Sequence, residues 1–213
     1  MKKPFFLSFL IFLLLFSYGL QKNLPPPIPA DKCPPQGSAA TERLKELNKL
    51  KNRFHLPAAN DFDHEVTLKK ILDPGNDEKR WNANKAAKIT GYVYEVKPGG
   101  IETCNCKTKD LAERDTHIEI LADPMHHKKM QRMIVEITPH LRELMKKSGD
   151  DWSTKNLRDK LLGRWVTFSG WLFFDEEHSN LSENTNPKRE RNWRATAWEI
   201  HPVTKIEIVT KPK

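Results

Sequence analysis

Several things are missing from this sequence, and each absence removes a class of protein. There is no Gly-x-Ser-x-Gly, no His-Glu-x-x-His and no glycine-rich phosphate loop. The nucleophile-elbow hydrolases, the helical zinc peptidases and the P-loop nucleotide enzymes are therefore not indicated. No internal repeat is visible, which sets aside solenoids and propellers. Spanning a bilayer takes about 20 consecutive apolar residues, and the one long apolar run, Phe5 to Phe16, is shorter than that. Cysteine is scarce too. With only three in 213 residues, at least one must stay unpaired or bond another chain in an oxidising compartment. None falls in the first twenty residues, so an N-terminal lipid has no acceptor there. Cys104-Asn105-Cys106 is too tightly spaced for a relaxed bridge, and no Cys-x-x-Cys accompanies it as a zinc half-site would require. A structural disulfide linked to Cys33 is the expectation, against a soft-metal or dithiol role for the Cys-x-Cys pair.

What is present begins with Lys2 and Lys3, the apolar run, and the small residues of Ser17-Tyr18-Gly19, the layout of a cleavable signal segment over residues 1–20. The sequence thus predicts export to the periplasm or outside the cell, with membrane contact only through the signal if it stays uncleaved. A proline-rich linker follows over 21–40, carrying Leu-Pro-Pro-Pro-Ile-Pro and Cys-Pro-Pro, a composition suited to an extended spacer. The net charge is +8, and the chain stays basic after losing Lys2 and Lys3. Such a balance suits acidic partners or serves solubility alone.

Residues 41–85 read as a helical and irregular lead-in. Thr41 is placed as an N-cap before Leu44, Leu47 and Leu50, and a short turn of helix is expected over Leu68 to Leu72. The periodicity then switches to two. Strands are predicted at Ile89 to Val96, Thr116 to Leu121, Arg132 to Thr138, Arg164 to Phe174 and Ala195 to Val209, with Gly91 and Gly170 as bends and Pro202 as a bulge. Helix is expected between the third and fourth strands, over Pro139 to Lys147 and again in a short stretch after the Asp150-Asp151 break that holds Asp159 to Leu162. Five strands with helix at that point, preceded by an N-terminal helix, give a mainly β fold: a five-stranded OB-type barrel over residues 86–213.

Residues two apart on a strand share a face, so His117 joins Glu119 and Glu199 joins His201. Glu136 interrupts the apolar third strand, while Asp175 and His178 follow the fourth. These are acid-base and metal-ligand side chains. They suggest a catalytic set of His117, Glu136, His178, Glu199 and His201, with a divalent ion such as zinc on His117, Asp175, His178 and His201. The competing account is a solvated strand face or a buried hydrogen-bonded network. Before the last strand, Lys188, Arg189, Arg191, Trp193 and Arg194 could bind ligand, since cations meet phosphates and an aromatic ring stacks on bases in that loop of OB folds. Trp165, Trp171 and Phe173 share one alternation of the fourth strand and are read as core.

Asp115-Thr116-His117, Ile134-Val135-Glu136-Ile137, the stretch from Gly170 to His178, and Trp198-Glu199-Ile200-His201-Pro202-Val203 resemble motifs of a group of exported bacterial OB-like domains without assigned activity. The shared pattern is Asp-x-His, a carboxylate on the third strand, Gly-x-x-x-Phe-Asp-x-x-His and Glu-x-His-Pro. It covers roughly Ile89 to Ile208. The resemblance implies that His117, Glu136, Asp175, His178, Glu199 and His201 act together. This chain departs from it in the polar stretch from Ser179 to Arg194 and in its Cys-x-Cys pair. Two function classes follow: an exported binding module for nucleic acid, anionic glycan or another acidic polymer, and a metal-dependent hydrolase of the phosphodiesterase or nuclease type.

Overall fold

The computed structural model describes residues 33–125 and 127–212. The expected signal segment over 1–20, the first part of the expected linker, His126 and Lys213 lie outside the described residues. Among those described, no helix is long and apolar enough to cross a membrane.

Five strands close into a barrel: β1 (Ala86–Pro98), β2 (Thr116–Leu121), β3 (Met133–Ile137), β4 (Trp165–Phe174) and β5 (Trp198–Val209). Their order around the barrel is β1-β2-β3-β5-β4, antiparallel throughout except where β3 meets β5. This is the mainly β, OB-type barrel expected from the strand order, with helix between β3 and β4. The first of those helices, α3 (Pro139–Lys147), starts where predicted because Thr138 caps it through Leu141 N and Pro139 occupies its first turn. The second, α4 (Thr154–Leu161), follows the Asp150-Asp151 break and takes in Asp159 to Leu161, with Ser153 as its N-cap accepting from Asn156 N. Two helices precede the barrel. In α1 (Glu42–Lys51) Thr41 is the N-cap, and in α2 (Leu68–Leu72) Thr67 is.

Alternation decides what fills the barrel. Val93, Val96, Ile118, Ile120, Val135, Ile137, Val166, Phe168, Leu172, Trp198, Ile200 and Val203 point inward, joined by Leu68 and Ile71 of α2 and by Leu157 and Leu161 of α4. Each such side chain contributes about 1.5–3 kcal/mol on burial. The opposite alternation of β2, β3 and β5 carries His117, Glu119, Glu136, Glu199 and His201, which are also buried because other chain covers them. Trp171 and Phe173 belong to this outer layer rather than to the barrel interior. Trp171 packs against His55 and Arg53, and Phe173 against His201 and Lys51.

The cover is the lead-in and the end of the linker. Residues 33–40, whose composition suggests a spacer, are held down: Cys33 bonds Cys106, Ser38 N donates to Thr103 O at 2.9 Å, and Asn48 and Asn52 donate to Gln36 O and Pro35 O. Closing a loop of 73 residues, the disulfide constrains the unfolded chain by about 4 kcal/mol in the loop-entropy account. Further along, Asp77 accepts from Ala197 N at 2.9 Å, and its carbonyl accepts from Trp198 Nε1 at 2.8 Å.

Pro202 lies in a bulge of β5. Ile200 pairs with Leu172 and Val203 with Gly170, so β5 spends one residue more than β4 across that interval. Gly170 allows it: a Cβ there would stand 2.3 Å from Pro202 O and 2.7 Å from Ile200 Cγ2. The extra residue keeps both Ile200 and Val203 facing the interior while His201 faces out.

Candidate functional site

The outer faces of β2, β3 and β5 bring their polar residues together by register. His117 stands opposite Glu136 across β2 and β3, and Ile134 pairs with Glu199 across β3 and β5. Two residues further along those parallel strands, Glu136 and His201 are neighbours. His117 Nδ1 lies 2.7 Å from Glu136 Oε1, and His201 Nδ1 lies 3.3 Å from Glu136 Oε2 and 3.4 Å from Glu199 Oε2. Glu136 is thus shared between two imidazoles. On the far side of His201, Nε2 faces Asp115 Oδ2 at 3.7 Å. Asp115 Oδ2 also accepts from Asn105 Nδ2 at 2.9 Å and has Cys104 Sγ at 3.8 Å.

Asp115 Oδ1 and His201 Nε2 are buried with no hydrogen-bond partner, while His117 Nε2 faces Glu119 Oε1 at 3.5 Å. An unpaired buried polar atom costs about 1–3 kcal/mol, which is why such atoms at one place suggest a ligand. Asp115, Glu136 and His201 each offer a donor atom within 4.8 Å of the other two. Among the described residues this is the group positioned to hold a metal ion. It differs from the expected set. His178 is not beside His201 but pairs with Asp175, Nδ1 to Oδ2 at 2.8 Å, and the Nδ1 of His117 is occupied by Glu136. Asp115 opens the Asp-x-His motif but carries no sequence signal of a ligand, because it stands just before β2, outside the strand repeat that orients His117.

A cleft of about 300 Å³ reaches this cluster through Glu136, with Asp115 and His201 behind its wall. The β1–β2 connection lines one side with Gly99, Gly100 and Glu102, and the β4–β5 connection lines another with Asp175, His178, Trp193 and Arg194. His117, Glu136 and Glu199 form part of its wall, and Lys51 and Lys97 reach it from α1 and β1. These two connections flank the ligand groove in OB folds. Trp193 packs beside His117, with ring centroids 5.8 Å apart.

The proposed ligand loop divides. Lys188, Arg189 and Arg191 are exposed, and Trp193 is half-buried. Arg194 is fully buried, contrary to its expected place among the solvent-facing cations: Nη1 donates to Glu199 Oε1 at 2.5 Å and Nη2 to Asp175 Oδ2 at 2.9 Å. Two carboxylates too far inside to be left alone require its charge. Lys51 is buried likewise, with Nζ 2.6 Å from Glu102 Oε2. Glu119 is held by Lys97 Nζ at 2.7 Å and Arg132 Nη1 at 2.6 Å.

Proton affinities follow from this packing. Burial raises the Asp115 carboxyl to about 6, with the His201 charge pulling it down and Glu136 pushing it up. Burial works against a charged His117, yet hydrogen bonds to Glu119 and Glu136 outweigh it and lift the imidazole to about 9. Glu136 is disfavoured by burial but held down to about 2 by its bond to His117 and the charge of His201. For His201, burial is outweighed by the bond to Glu199 and by the charges of Glu136 and Asp115, so it too is raised. Burial and the neighbouring Asp115 push the Cys104 thiol well above its ordinary range. Such displaced groups in a cleft mark a functional-site candidate.

Neither a scan of protein-family models nor a search of curated proteins returns a match to this chain.

Proposed function

We propose that this domain is a metal-dependent hydrolase of phosphodiesters, working in the cleft between the β1–β2 and β4–β5 connections. The observation that carries the reading is the meeting of Asp115, Glu136 and His201 behind the cleft wall, with Asp115 Oδ1 and His201 Nε2 unpartnered. A divalent ion there would polarise a phosphoryl oxygen and lower the pKa of bound water. The chain supplies the rest. Glu199 accepts from His201 Nδ1 and so orients the ring with Nε2 toward the site, the usual support of a metal-binding imidazole. His117, protonated below about pH 9, lines the cleft with Nε2 facing Glu119 Oε1 at 3.5 Å and can give its proton to a leaving oxygen. Lys97 and the exposed Lys188, Arg189 and Arg191 suit a polyanionic substrate. The Cys33–Cys106 disulfide fits an oxidising compartment and supports export.

A non-catalytic module for an anionic polymer is the second reading, favoured by the same exposed cations. Metal analysis together with hydrolysis of bis(p-nitrophenyl) phosphate separates the two. The first reading expects one ion per chain and chelator-sensitive turnover that falls at least about 100-fold in Glu136→Gln. A metal-free, inactive protein whose DNA binding weakens with salt would replace it with the second.

A further inference from the structure

We propose that His178, held by Asp175, is a second proton-transfer residue of the cleft: it takes the proton of the attacking water while His117 protonates the leaving oxygen. This rests on the phosphodiesterase reading above and deepens it by assigning the general base.

His178 and His117 line the same cleft, one from the β4–β5 connection and the other from β2. His178 lies in the 3-10 helix Glu176–Leu181, and its Nδ1 is 2.8 Å from Asp175 Oδ2, three residues back along the chain. An ionised carboxylate only accepts, so Nδ1 carries the hydrogen and the lone pair of the neutral ring sits on Nε2. That leaves Nε2 as the nitrogen available for proton transfer. The His178 side chain is 38% exposed whereas that of Asp175 is 5% exposed. A buried carboxylate that fixes the tautomer and direction of a solvent-reaching imidazole is how a catalytic base is held ready.

Asp175 is itself fixed. Arg194 Nη2 donates to the same Oδ2 at 2.9 Å, and the Asp175 backbone N donates to Ala197 O at 2.9 Å. Burial works against its charge, but the bond to His178 and the charges of Arg194 and Lys51 outweigh burial and hold the carboxyl well below its usual range. Asp175 therefore stays ionised and does not take the proton from His178. The bond to Asp175 lifts His178 above the ordinary 6.5, with burial and the Arg194 charge opposing and Glu102 adding to the lift. The neutral ring acts as base on the alkaline side of that raised value.

The step balances without a further reactant. A water O–H bond breaks, its proton passes to His178 Nε2, and its oxygen bonds to phosphorus. The phosphorus–oxygen bond to the leaving group then breaks, and that oxygen takes the proton of His117. Both rings return to their starting states by proton exchange with solvent.

Turnover of bis(p-nitrophenyl) phosphate by the zinc-loaded full chain, with its disulfide intact, tests this. His178→Ala should lose about 100-fold in kcat and keep its zinc. Added imidazole should restore rate in proportion to its concentration, which a merely structural role would not allow. His178→Gln, which can still donate a hydrogen bond to Asp175 but cannot take a proton, should lose as much. Unchanged turnover in either variant, with Glu136→Gln still inactive, would overturn the His178 assignment and leave the metal hydrolase standing. Loss of rate in His178→Ala without rescue by imidazole would make the residue structural and overturn the assignment equally. A native chain without turnover would remove both readings.

Discussion

Arg194 divides its two terminal nitrogens between Glu199 and Asp175, inside the protein and out of reach of solvent. Glu199 in turn holds His201, so the arginine reaches the candidate metal site through one carboxylate. Its role is to neutralise and position. Arg194→Ala should therefore destabilise the fold by about 3–5 kcal/mol, the cost of leaving buried charge unpaired. Urea unfolding measures this, and a loss under about 1 kcal/mol would show that the pair is not buried as described.

The exposed members of the same connection should behave oppositely. Replacing Lys188, Arg189 and Arg191 together by Ala should leave the unfolding midpoint unchanged and weaken binding of a single-stranded oligonucleotide, with a shallower dependence on salt. Fluorescence anisotropy at several salt concentrations reads both quantities. An unchanged salt slope would remove this loop from the polyanion surface.

His178 supplies a pH test away from the metal ligands. Its hydrogen bond to Asp175 raises its proton affinity above the ordinary 6.5, with burial opposing. A group raised in the folded state contributes fully below its unfolded pKa and loses that contribution as pH climbs through its folded value. The thermal-midpoint gap between the native chain and His178→Gln should accordingly be largest below the ordinary value of 6.5 and shrink as the pH rises above it. A gap constant across that range would mean the imidazole is neutral throughout.

Gly170 links fold to site. An alanine methyl there would meet Pro202 O at 2.3 Å and Val203 Cα at 2.9 Å, so the β5 bulge would have to move. Gly170→Ala should cost about 2–3 kcal/mol of stability. Because the bulge sets the direction of His201, zinc affinity should fall as well, by calorimetric titration at a temperature where the variant stays folded. Unchanged affinity would separate the bulge from the site.

Much of this molecule was legible in order along the chain. Period-two alternation located all five strands, Thr41 and Pro139 marked two helix starts, and Pro202 marked the bulge, because each is a local steric or hydrogen-bonding preference. That His117 shares a face with Glu119, and Glu199 with His201, follows from the strand repeat alone.

The candidate site itself is decided by contacts between distant segments. Asp115 precedes β2, so no periodicity points it at His201. Barrel closure with β3 beside β5 sets His201 against Glu136, and the Cys33–Cys106 bond leaves Cys104 as the free thiol. The sequence read Arg194 with its loop neighbours because charge alone cannot tell an exposed guanidinium from one that balances buried carboxylates. Local residue patterns determined which segments extend and which coil; which polar side chains meet, and which are shut away from water, was determined by register and closure.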